Sequence, residues 1–301
     1  MRRFTIILAA GLWSVPGQAG CHSPTGPHAP VETGRQRQLA EAEARLRNHP
    51  ASETDLIWVG RRLAYLGRYD EAIEVYTDGL ETHPESYRIR RHRGHRFITV
   101  RRLDDAISDL ALAAELSAGV PDEVEADGLP NAMNIPTSTT KSNIYYHLGL
   151  ARYLSGRPGS ALEAYRTCME FSTNDDMRCA TSYWLYLTLR RLDRDDEARR
   201  VLDPITPDLQ IIENFAYRDL LLLFKGEIRP QQVLSGNAEP GPVGQRIDDA
   251  TRGYGIGAWH LVNGRQMEAM EIFREVVRDT GRAAFGHIAA EAELARIRAA
   301  Q

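Results

Sequence analysis

Small and apolar positions recur along this chain at a fixed long spacing, with no strand-like alternation and, past the N-terminus, no apolar run of membrane length. One interval, roughly 34 residues, separates Pro50 from Pro84, each after a histidine, and likewise Gly60 from Gly94 and Ala72 from Ala106. Within 56–84, Leu56, Val59, Gly60 and Leu63 mark one helix, Gly67 and Tyr69 a turn, and Ala72, Tyr76, Gly79 and Pro84 a second helix and its end. Two antiparallel helices can cross closely where Gly60 and Ala72 are small, with Leu63 and Tyr76 filling the space on either side. Gly67 suits the positive φ that ends a helix, and Pro84 stops the next one.

The pattern returns with countable slips. Gly94, Phe97, Leu103, Ala106 and Leu110 form a second unit; Leu148, Gly149, Gly156, Ala161 and Tyr165 form a third. The interval from Ala106 to Ala161 is longer than the repeat by more than half, so a segment is inserted between these units, placed at 117–141. A fourth unit carries Leu185, Leu189 and Ala198, with Tyr186 at the usual small position. A fifth keeps Gly226 but has Pro230 in its second helix and reads as eroded, and a sixth is restored through Ile256, Gly257, Gly264, Ala269 and Phe273. A helix over 36–48 precedes the array, and one over 284–299 reads as its terminal cap, since an end repeat otherwise exposes its packing face.

These motifs resemble the tetratricopeptide repeat (TPR) over residues 36–299. The resemblance implies an all-α fold, a right-handed superhelical solenoid of antiparallel helix pairs, in a domain spanning 36–301. It also implies a scaffold whose first helices line a concave groove that holds a peptide or protein segment. Carried over by register, the groove-facing candidates are Arg88, Arg91, His92, His95, Asn143, Tyr146, His147 and Tyr183. A subset of the family grips a C-terminal carboxylate with a lysine and asparagine clamp. The matching positions here hold Ile57, Arg61, His92, Asn143 and His147, which does not support that specialised activity.

Composition narrows the picture. Hydrophobic residues at 43%, charged residues at 26% and a formal net charge of -4 suit a folded chain that is not an obligatory nucleic-acid binder. Residues 1–21 read as an export signal: Arg2 and Arg3, an apolar stretch over 4–15, then small and turn-forming residues. Ala19, Gly20 and Cys21 resemble the end of a bacterial lipoprotein signal, with Cys21 lipidated, although Gln18 departs from the aliphatic residue usual there; a plain cleavage site is the alternative. Periplasm or cell envelope is the implied location, with membrane contact only through a lipid anchor. Residues 22–35, with three prolines and two glycines, read as a flexible tether. An oxidising compartment permits a disulfide between Cys168 and Cys179; two separately packed thiols are the other possibility.

Candidate chemistry concentrates in 87–97, where five arginines and two histidines fall within eleven residues. Helical spacing gathers Arg88, Arg91, His92 and His95 on one face and Arg90, Arg93 and Phe97 on another. Arg90 and Arg93 occupy register positions that normally pack apolar side chains, so each needs a carboxylate from Asp104, Asp105 or Asp109, or a bound anion. His92, His95 and His147 lack an acidic or cysteine companion, so no metal or other cofactor is expected. No HExxH, phosphate-binding glycine loop or GxSxG is present, and no catalytic residue is nominated. Two functions remain. An exported scaffold for a peptide or protein predicts an open groove. A site for a small anionic ligand or glycan, binding or enzymatic, centred on 87–97 with Tyr146 and Tyr183 as stacking platforms, predicts a closed cavity walled by the insertion.

Overall fold

In a computed structural model, residues 29–236 and 241–300 are described; the expected export signal, Cys21 and the first part of the expected tether lie outside them. The described residues form fourteen α-helices and one isolated antiparallel bridge, Val124 to Thr139. After α1 (Ala29–Asn48) come five pairs: α2 (Glu53–Tyr65) with α3 (Tyr69–Thr82), α4 (Tyr87–Thr99) with α5 (Leu103–Leu116), α6 (Thr140–Leu154) with α7 (Pro158–Glu170), α8 (Asp175–Arg191) with α9 (Asp195–Leu202), and α10 (Phe215–Lys225) with α11 (Pro230–Leu234). The last pair, α12 (Gly241–Val262) and α13 (Gln266–Asp279), is followed by α14 (Phe285–Ala299). The fold is an all-α, TPR-like solenoid of helix pairs. One expectation shifts and another holds. The first helix starts at Ala29, so residues 29–35 of the expected tether are helical; a proline in a first turn forfeits no intrahelical hydrogen bond. The fifth unit is eroded as expected, its second helix only five residues long with Pro230 at its start.

Pair crossings follow the spacing logic. A Cβ at Gly149 would lie 2.6 Å from the Tyr165 ring, and one at Gly257 2.5 Å from Phe273. The turn inside each pair contains a residue with positive φ: Gly67, Arg101, Gly156, Asp193, Gly226 and Gly264. An arginine stands just before each second helix: Arg68, Arg102, Arg157, Arg194, Arg229 and Arg265. In three units it pairs with a carboxylate three residues on, Arg68 with Glu71, Arg102 with Asp105 and Arg194 with Glu197.

Cys168 and Cys179 are both free and buried, two separately packed thiols, and burial pushes each up to about 12. None of the described helices is long and apolar enough to cross a membrane.

The last helix does more than cap the end. It packs on α12 and α13 and also touches α6, in the third unit. Its Glu293 is 3% exposed, accepts from Arg191, pairs with Arg296 at 3.0 Å and takes a hydrogen bond from the Tyr254 hydroxyl at 3.3 Å. Arg101 donates to Glu291 at 2.9 Å, and Arg296 to the Leu154 carbonyl at 2.9 Å. Through α14 the sixth unit is thus bolted back onto the second, third and fourth.

Candidate functional site

Ser86 caps α4 by accepting from the Ile89 amide at 2.9 Å, which starts the arginine-rich helix. On the side facing α5, Asp109, 4% exposed, receives Arg93 at 2.6 and 2.8 Å and Arg90 at 3.3 Å. These two register-breaking arginines are therefore a structural ion-pair network.

On the concave side the insertion folds over α2 and α4 as a strap. Its base is a short antiparallel pairing: the Glu125 amide donates to the Ser138 carbonyl at 3.0 Å and the Thr140 amide to the Glu123 carbonyl at 2.9 Å. Alternate strap residues then meet the basic face, as an extended chain requires. Glu123 accepts Arg88 twice, at 2.5 and 2.6 Å; Glu125 meets Arg91 at 2.9 Å; and the Gly128 carbonyl accepts from Arg62 at 3.0 Å. Burial, helped by Glu213, pushes the strap's Asp127 up to about 6.

Beyond the strap lies a cavity of about 590 Å³. Of the eight groove candidates, Arg91, His95, Asn143, Tyr146 and His147 line it together. The other three do not. Arg88 is held by Glu123 and by Glu53 at the strap's outer edge. His92 is buried against Tyr76, its Nδ1 3.0 Å from an Arg91 nitrogen. Tyr183 is fully buried among Trp184, Tyr217 and Phe224, so it is core and no stacking platform; a first-helix position faces the groove only where no later helix covers it.

The walls come from the two helices outside the repeat pairs and from the eroded fifth unit. Arg35 enters from α1, Phe285 from α14 and Tyr217 from α10. The second half of the insertion supplies Asn131, Thr137 and Ser138. Asn131 donates to Glu213 at 3.1 Å and the Thr137 hydroxyl also bonds Glu213, which ties the insertion to the loop before α10. That loop is held by Asp176, 1% exposed, whose carboxylate accepts the amides of Ile212, Glu213 and Asn214 at 2.9, 2.9 and 2.8 Å. The hydroxyl and amide content of the insertion was the available signal; nothing in the repeat register pointed to Arg35 or Phe285.

The floor is a polar relay within an aromatic bed. Trp184 Nε1 donates to the Tyr146 hydroxyl at 2.8 Å, which lies 3.0 Å from the Tyr217 hydroxyl. Above it the His95 and His147 rings sit 4.3 Å apart, with Phe285 5.2 Å from the first and 5.6 Å from the second. His147 Nδ1 lies 2.6 Å from the Asn143 carbonyl, a pure acceptor, so Nδ1 carries the proton and Nε2 presents a lone pair. Burial, then Arg96, holds His95 well below its ordinary 6.5; burial, then Arg91, does the same to His147. Both rings are neutral at pH 7. Among the described residues no group of three His, Cys, Asp or Glu side chains is arranged to hold a metal ion.

No protein-family model matches the chain, and no curated protein sequence matches it. Among solved structures it is similar to YrrB, described as a TPR protein with an unusual peptide-binding site, at 12% identity over 84% of this chain and 97% of that one, with a TM-score of 0.44. It is also similar to MamA, at 16% identity over 79% of this chain and 97% of that one (TM-score 0.39). A MamA from Desulfovibrio magneticus RS-1 matches at 19% identity over 58% and 92% (TM-score 0.42). The TPR-like fold rests on this chain's own helix pairs, and the likenesses assign it no activity.

Proposed function

We propose that the protein is an exported binding module that holds a short segment of a partner protein at the cavity on its concave side. The observation that carries this is the apolar rim of the cavity. Leu129 and Ile247 line it while 47% and 49% exposed, and Met133 and Ile135, in the same insertion, are 61% and 45% exposed. Exposed apolar side chains gathered around a concave, partly polar site mark protein contact surfaces, and a volume near 590 Å³ suits a few residues of chain. The partner meets a mouth between insertion and last helix, because those two elements fill the open groove that a plain scaffold would offer.

The test uses the full chain as bait in extracts of its own cell envelope. Ala132, exposed in the insertion and lining the cavity, is replaced by Trp to block the mouth; Leu112, 36% exposed on α5, is replaced by Trp as a control. Proteins retained by wild type and Leu112→Trp should fall about tenfold or more with Ala132→Trp, a loss of roughly 1.4 kcal/mol. Equal recovery by all three overturns the reading. Export has its own measurement in the mass of the mature N-terminus: an acylated Cys21 supports a lipid-anchored module in the envelope, and an intact Met1 contradicts export.

A further inference from the structure

Positive charge beside the cavity is short of directly paired carboxylates among the described residues. Arg96, half-buried on α4, forms no hydrogen bond or ion pair through its side chain among the described residues, and its one close partner is the Tyr69 ring, 5.8 Å from the guanidinium. Arg61 on α2 forms no direct ion pair among the described residues: it reaches the Tyr65 hydroxyl at 3.4 Å and lies over Trp58, with Glu125 answering its charge only at longer range. Arg35 on α1 donates to a backbone carbonyl, that of Tyr65, at 3.0 Å. A buried or half-buried arginine is stable only when its charge is answered.

The carboxylates near these groups are committed elsewhere or set apart. Glu125 of the strap is taken by Arg91, and Glu213 before α10 holds Asn131 and Thr137. Asp127 lies toward Glu213, and Asp248 of α12 lines the far wall by Tyr217. Of the phenols facing this region, Tyr76 from α3, Tyr146 from α6 and Tyr217 from α10 are kept neutral by burial, which pushes each above its ordinary range. From α14 the rings meet only Phe285. His92, on α4 with His95, is also held neutral, by burial and then Arg91.

We propose that the partner segment places an oxyanion, a carboxylate or a phosphate group, against His95 and His147, and that this anion enters together with a proton. The proton follows from the tautomer. His147 Nδ1 is spent on the Asn143 carbonyl, so its neutral Nε2 is an acceptor and repels an oxyanion. His95 makes no hydrogen bond through its ring, which meets His147 and Phe285 by its face. Protonating His147 supplies the missing donor at Nε2 and a counter-charge for the anion, and the anion in turn offsets Arg91 and Arg96, whose field adds to burial in keeping that proton off. The inference rests on the cavity being the binding site and adds the chemistry of what enters it.

The test follows the imidazole resonances of the whole protein by NMR across pH, with inorganic phosphate and glutarate as probes. His49, with a 68% exposed side chain, is the internal control. One or both probes should raise the His95 and His147 midpoints by a unit or more and leave His49 in place; the more effective probe identifies phosphate or carboxylate as the source. Binding should tighten up to about tenfold per pH unit of acidification while the ring takes up its proton. Arg96→Gln should raise both midpoints without any anion and weaken the probe's effect. An unmoved pair with both probes, binding without proton uptake, or midpoints indifferent to Arg96→Gln each overturns the proposal. Partner capture that is lost in Ala132→Trp yet unchanged by pH and by Arg96→Gln would leave the cavity as binding site and remove only the anion.

Discussion

Gly286 lies where α14 crosses α12, and a Cβ added there would strike the backbone carbonyl of Ala250, which no rotamer change can move aside. Gly286→Ala should therefore destabilise the protein by about 2–3 kcal/mol, the upper range for overpacking a tight contact. Gly34, inside α1, has nothing within 4 Å of its would-be Cβ, and the same substitution there should stabilise by about 0.5–1 kcal/mol by restricting the unfolded chain. Urea unfolding of the two variants should show midpoints displaced in opposite directions. Residues such as Gly149 were legible because a small residue at a fixed repeat position reports a crossing. Gly286 was not, because α14 stands outside the repeat. Two turns were hidden for a related reason: Arg101 and Asp193 adopt the positive φ that glycine signals elsewhere.

Among the elements, α4 and α6 carry a titratable liability. His92, His95 and His147 are all held well below 6.5 by burial first, then by neighbouring arginines. The unfolded chain binds protons near pH 6.5 that the folded chain refuses, so their stabilising effect is whole above that pH and is lost as pH falls beneath it. Each contributes a slope of up to about 1.4 kcal/mol per pH unit. Thermal unfolding followed from pH 7.5 to 5 should show a falling midpoint, and a triple His→Gln variant should flatten that fall. Besides Glu291, the last helix is anchored by one buried carboxylate. Burial opposes ionisation of Glu293, but Arg191 and Arg296 outweigh it and hold the group below its ordinary range. Glu293→Gln leaves both arginines unanswered and should cost about 3–5 kcal/mol, with amide exchange in α14 rising before that of α6. Helix existence and the eroded fifth unit could be read from spacing and Pro230. That the last helix would dock on the third and fourth units could not, because its contacts are long-range ion pairs with no local periodicity.

At the scale of the whole molecule, the strap and the last helix turn an open array into one with a walled cavity. Five of the eight residues placed by register meet there, because first helices do face inward. Arg88 and Tyr183 miss it because later chain segments cover them, and His92 because its ring turns into the helix pair against Tyr76. The central claim is that binding happens at this cavity and not along the outer helices. Hydrogen–deuterium exchange with and without the captured partner tests it most directly. The account predicts added protection over 129–138, the start of α6 and the loop at 210–214, with α3, α5 and α7 unchanged. Protection concentrated on α3, α5 and α7, with the insertion exchanging as before, would contradict it.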